Sequence, residues 1–132
     1  MNAVILRELQ NRRKMQIVRL NEVADVTSQM MQAADRNDQL SMQMLLAMRE
    51  SPLEQLREID ESIRKYVLSL PEEDAIRCEE LLHGETASDP EEKELSEQSA
   101  KYYRILESVI ASDKRLSMRV GGNRSFYHTY RE

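Results

Sequence analysis

Between residues 95 and 120 the sequence places Leu95, Ser99, Tyr102, Leu106, Val109, Asp113, Leu116 and Val120 at alternating steps of four and three. A strand repeats every two residues, so this 3.5-residue period belongs to one face of an α-helix laid along other helices. Ile105 and Ile110 thicken the middle of the seam, and Gly121-Gly122 marks its end. A seam this long needs partner helices of similar length, and the rest of the chain offers them.

Leu6, Leu9, Leu20, Val23, Thr27, Met30 and Ala34 fall at helical spacing, with Ile17, Ala24 and Met31 beside them, which predicts a first helix over about 2–34. Arg13 and Gln16 interrupt that stripe, so at their level the helix either projects past its partners or holds a paired arginine. "DRND" breaks the pattern, and Asp38 is placed to cap a second helix running to Leu70. Its stripe of Leu45, Met48, Pro52, Leu56, Ile59, Ile63, Tyr66 and Leu70 stays in phase across Pro52. That favours one helix kinked there over two helices, although "SPLE" reads by itself as a helix start. "PEEDAIRCEELLHG" predicts a short helix opened by Pro71, with three acids in its first turn and Gly84 at its close. Asp89-Pro90 then opens the last long helix.

The predicted fold is an all-α antiparallel helical bundle with three long helices and one short helix, a single domain over 1–122 followed by a flexible C-terminal tail over 123–132. Composition agrees: 33% of the 132 residues are charged and 5% aromatic, with 3 Gly and 3 Pro, whereas sheets draw on β-branched and aromatic residues and frequent turns.

Charge is unevenly spread. Arg7, Arg12, Arg13, Lys14 and Arg19 face one acid, Glu8, in the first twenty residues, and five bases face Glu132 at the other end. The stretch 72–97 carries eleven acids against Arg77 and Lys93. Mutual attraction of basic ends and acidic middle is the expected use. A net charge of −5 argues against nucleic acid as the main partner, as does the small size of the basic aromatic tail Arg124, Phe126, Tyr127, Tyr130 and Arg131. No stretch approaches the ~20 apolar residues of a membrane span, and Val4-Ile5-Leu6 is too short a run for a signal peptide. A cytoplasmic setting is expected. Cys78, the single cysteine, excludes an internal disulfide and is expected to be inert beside Glu79 and Glu80.

No catalytic constellation is evident, so an enzyme is not expected, nor a metal or other cofactor. His83 reads as a charge at a helix C-terminus, and Asp35 and Asp38 as turn and cap residues rather than calcium ligands. The methionines are more informative. Met30, Met31, Met42, Met44 and Met48, five of the chain's eight, surround the first helix–helix turn. The apolar positions at 42, 44, 45, 46 and 48 cover over half the helix circumference and cannot all face one core. Two readings stay open: a core closing over both faces at one end of the bundle, or a deformable thioether surface that accepts a partner.

The segment "VADVTSQMMQAADRNDQLSMQMLLAMRESPLEQLREID" resembles the flagellar export chaperones of the FlgN and FliT type. It shares a long helix ending in an apolar run with Thr27, Met31 and Ala34, a short turn with Asp38, then Leu45, Leu46 and Arg49, and Leu56, Ile59 and Asp60. The order of helices along nearly the whole chain is similar too. The resemblance implies a non-enzymatic chaperone, working without ATP, that binds the helical end of a hook-associated or filament-cap protein, prevents its premature assembly and delivers it to the export apparatus. It also implies that the last long helix carries partner-binding residues, here Tyr102, Tyr103, Leu106, Val109, Ile110 and Leu116. The competing expectation is a self-associating helical adaptor, such as a homodimer, without an export client. Pro52 and the residues after Gly122 depart from the family pattern.

Overall fold

In a computed structural model that describes residues 1–119, the chain forms four helices: α1 (Ala3–Asp35), α2 (Gln39–Leu68), α3 (Glu72–Leu82) and α4 (Pro90–Arg119). Among the described residues there is no strand. The expected bundle of three long helices and one short helix is what forms. The end of the predicted domain at 120–122 and the predicted tail, 123–132, lie outside the described residues.

Local chemistry sets each boundary. The Asn2 side chain accepts the Val4 N–H at 2.8 Å to start α1. That helix ends with Asn37 at φ 55°, the Asn37 N–H donating to the Ala34 carbonyl and the Asp38 N–H to that of Ala33. Asn is one of the few residues with a side chain that takes this left-handed conformation readily. Asp38 caps α2 as expected: its carboxylate accepts the Ser41 N–H at 3.0 Å and the Ser41 hydroxyl at 2.6 Å. These bonds hold the Asp38 carboxyl below the usual range. The same end motif recurs in α3, where Gly84 at φ 84° donates to Leu81 and Glu85 to Glu80. Asp89 opens α4 by accepting the N–H groups of Glu91 and Glu92.

α2 passes through Pro52 as one helix. Pro52 has no N–H for the Met48 carbonyl, a loss that costs about 3 kcal/mol in a helix interior. Burial offsets it: Pro52 is itself buried, with Leu53 and Leu56 beneath it in the core.

The chain runs up α1, down α2, across the base in α3, and up α4. α4 is therefore parallel to α1, which places Glu91 by Gln10 and Arg119 by Asp35. α1 packs along its length against both α2 and α4, whereas α2 and α4 touch each other little. Three apolar layers lie along α1. The base holds Leu6, Leu9, Ile63, Val67, Cys78, Leu81, Leu82 and Leu95, the middle Leu20, Val23, Leu53, Leu56 and Val109, and the top Val26, Met30, Ala33, Leu45 and Leu116. Between base and middle lies Arg13 with Gln16 and Ser99; between middle and top lie Thr27, Arg49 and Asp113.

Two expectations change here. The pairing of basic ends with acidic middle amounts, for the α1 cluster, to a single long contact, Lys14–Glu94 at 3.9 Å. Arg12 instead donates to the Ser62 carbonyl at 3.0 Å and lies over the Tyr66 ring, and Arg13 turns inward. The Arg13–Gln16 interruption is thus not a stretch of helix projecting past its partners; both residues are buried.

Candidate functional site

A concavity opens between α2 and α4 above the level of α3. At the base Cys78, Leu81 and Leu82 of α3 fill the space between α2 and α4, and farther up Leu53, Leu56 and Val109 close over α1. Between those levels no described residue lies between α2 and α4, and a groove of about 740 Å³ opens there. Leu56, Leu106 and Tyr102 give it an apolar and aromatic floor, with Arg13 of α1 at the bottom and Tyr103 beside it. The α2 wall is charged. Glu54 pairs with Arg57 at 3.2 Å and Asp60 with Arg64 at 2.8 Å, while Glu58, Glu61 and Lys65 make no ion pair among the described residues.

Arg13 is 4% exposed. Its Nε donates to the Ser99 hydroxyl at 3.0 Å, one terminal nitrogen to Gln16 Oε1 at 2.6 Å and the other to the Leu82 carbonyl at 2.7 Å. The guanidinium lies 4.7 Å from the centre of the Tyr102 ring and 5.4 Å from that of Tyr103. The two rings meet edge to face, and Tyr103 stacks on His83. His83 is the cap residue of α3, its Nδ1 2.6 Å from the Glu79 carbonyl oxygen. Burial pushes the Tyr102 hydroxyl up to about 12, so it stays protonated.

A second surface lies near the α1–α2 turn. Leu40, Met44 and Met48 follow one another at single-turn steps and are 69%, 59% and 56% exposed. Met44 and Met48 flank a shallow hollow of about 190 Å³ bordered by Gln29, Gln32 and Arg36.

The eleven positions expected to bind a partner divide accordingly. Tyr102, Tyr103 and Leu106 are half-buried and line the groove. Met44 and Met48 stand on the exposed ridge, and Met31, Met42 and Ile110 are half-buried outside both. Met30, Val109 and Leu116 require correction: they are 0%, 3% and 0% exposed, sealed between α1, α2 and α4, and serve as core. The core reading of the methionines therefore holds for Met30, whereas Met44 and Met48 stay on the surface. Sequence reasoning missed the α2 wall, Leu40 and the role of Arg13, although the charged gap in the α1 stripe had marked Arg13.

Cys78 is buried, and burial among Asp74, Glu79 and Glu92 pushes its thiol up to about 11. Among the described residues, no cluster of His, Cys, Asp and Glu is placed to hold a metal ion, and no helix is long and apolar enough to cross a membrane. No family model, curated protein or solved structure matches this chain.

Proposed function

We propose that this protein is a helix-binding chaperone of the flagellar export kind, acting in the cytoplasm without catalysis. It receives the amphipathic helical end of a hook-associated or filament-cap protein, keeps it from assembling early and presents it to the export apparatus. The observation that carries this reading is the groove: α2 and α4 flank α1 yet leave Tyr102 and Leu106 only half-buried between them. A client helix lying opposite α1 would complete a four-helix arrangement and bury its apolar stripe on that floor. The resemblance of the 23–60 segment to FlgN- and FliT-type chaperones supplies the client class.

The test is reconstitution of purified protein with the terminal helical segments of a hook-associated protein and of a filament-cap protein, followed by light scattering and calorimetry. A stoichiometric complex that Leu106→Glu weakens by about tenfold or more, with helicity retained, supports the reading. Absence of a complex with either client class refutes it. A second reading, the self-associating adaptor, is favoured by the exposed Leu40, Met44 and Met48. If it holds, Met44→Glu converts a dimer to a monomer while Leu106→Glu leaves the mass unchanged.

A further inference from the structure

Arg13 is a buried cation that meets no anion among the described residues. Its partners are a hydroxyl, an amide oxygen, a backbone carbonyl and two ring faces, and among the described residues no carboxylate pairs with it. A guanidinium carries five N–H donors, and three are used. Gln16, fully buried at the same level, also holds its amide nitrogen without an acceptor. At this level, then, Arg13 and Gln16 both keep N–H groups without an acceptor among the described residues. A desolvated charge is stabilised far better by an opposite charge than by neutral dipoles. Arg49, the other buried arginine, shows the usual arrangement: it reaches Asp113 at 2.6 Å.

The geometry points to an acidic side chain, set within the apolar stripe of the client helix, as the anion that Arg13 receives. This rests on the groove reading above and adds to it the chemistry of one client position. The aromatic and aliphatic floor takes the stripe, and the carboxylate enters beside Tyr102 and Tyr103 to accept from Arg13. The α2 wall does not select for this charge, since its acids Glu54, Glu58, Asp60 and Glu61 outnumber its bases Arg57, Arg64 and Lys65 by one. Specificity for an acidic residue is thus confined to the floor. A purely apolar helix would cover Arg13 and leave its charge uncompensated, so the site discriminates against it.

The probes are three 18-residue amphipathic helical peptides with a leucine stripe, identical except for Glu, Gln or Leu at the central stripe position. Affinities are read by fluorescence anisotropy at 150 mM salt against the full chain. The expected result is that the Glu peptide binds about tenfold or more tighter than the Gln and Leu peptides. The Lys65→Gln variant retains the preference and Arg13→Gln loses it. Should Arg13→Gln not fold, the Lys65→Gln comparison carries a separate arm: a preference that vanishes in Lys65→Gln assigns it to the wall and overturns the inference. Equal binding of all three peptides overturns it too, while leaving the helix-binding groove intact. Failure of every peptide to bind overturns the groove reading itself.

Discussion

Two arginines, Arg13 and Arg49, are buried in this small bundle, 4% and 3% exposed, and the fold treats them in opposite ways. Arg49 on α2 sits between apolar layers, meets the Asp113 carboxylate of α4 at 2.6 Å and the Thr27 hydroxyl of α1 at 3.0 Å, and so ties three helices together. Arg13 on α1 lies one layer lower, meets neutral acceptors and borders the open groove. The closed level of the bundle contains its own counterion; among the described residues the open level has none. A buried pair with good geometry fixes register, whereas a buried cation left to dipoles and ring faces keeps part of its interaction capacity for something outside the chain.

The largest effect should come from breaking the closed pair. Asp113→Ala leaves Arg49 charged and buried, and is expected to lower stability by about 3–5 kcal/mol in urea unfolding. The double replacement Arg49→Met with Asp113→Leu should cost less than Asp113→Ala alone, because no charge is then left behind. Equal or greater loss in the double variant would mean the pair contributes net attraction rather than registry.

Arg13→Met is expected to cost less, about 1–3 kcal/mol, because no carboxylate is orphaned and the loss is confined to the Leu82 carbonyl, Ser99 and Gln16. The measurement is the urea midpoint beside that of Asp113→Ala. A loss as large as that of the buried pair would show that Arg13 is chiefly structural and would remove the contrast between the two levels.

These two residues also show what the sequence discloses. Helix order and the core seams were legible because a 3.5-residue period is a local property, and Asp38 and Gly84 act within a few residues of themselves. Arg13 was visible as a charged gap, but its partners Ser99 and Leu82 are 86 and 69 residues away, and no local pattern names them. The groove depends on α3 entering between α2 and α4 at the base only, a matter of tertiary placement. Met30, Val109 and Leu116 were expected at a partner surface because a core stripe and a docking stripe have the same spacing. Only the tertiary placement of α2 and α4 against α1 distinguishes them.

Alkaline pH gives a gentler probe of the open level. The Tyr102 hydroxyl titrates at about 12 in the folded chain, against ~10 when unfolded. A raised folded value means its contribution is complete below about pH 10 and is lost as pH rises toward 12. The loss expected from Tyr102 is on the order of 1 kcal/mol, since the ring is half-buried and solvent screens part of the shift. Cys78, pushed up to about 11, weakens the fold in an overlapping window, as does Tyr66, also raised by burial. Comparing Tyr102→Phe with Cys78→Ser between pH 9 and 12 separates the two main contributions. An unchanged alkaline decline in Tyr102→Phe would show that the ring is not desolvated beside Arg13.

The smallest effect should belong to the surface pair of the same layer. Lys14 and Glu94 are 3.9 Å apart with both side chains more than half exposed. An exposed pair of this kind contributes roughly 0–0.5 kcal/mol once side-chain entropy and screening by salt are counted. Lys14→Ala should therefore leave the urea midpoint nearly unchanged, and raising salt from 50 mM to 1 M should erase what remains. The charge asymmetry of the sequence, basic near the start and acidic in the middle, would then have little part in holding α1 to α4. That work falls to Leu9, Leu95 and the Arg13 hydrogen bonds, which salt screens far less. A loss above about 1 kcal/mol in Lys14→Ala, reversed by salt, would instead make the asymmetry a stabilising feature of the open level and weaken the case that its unmet charge is reserved for a partner.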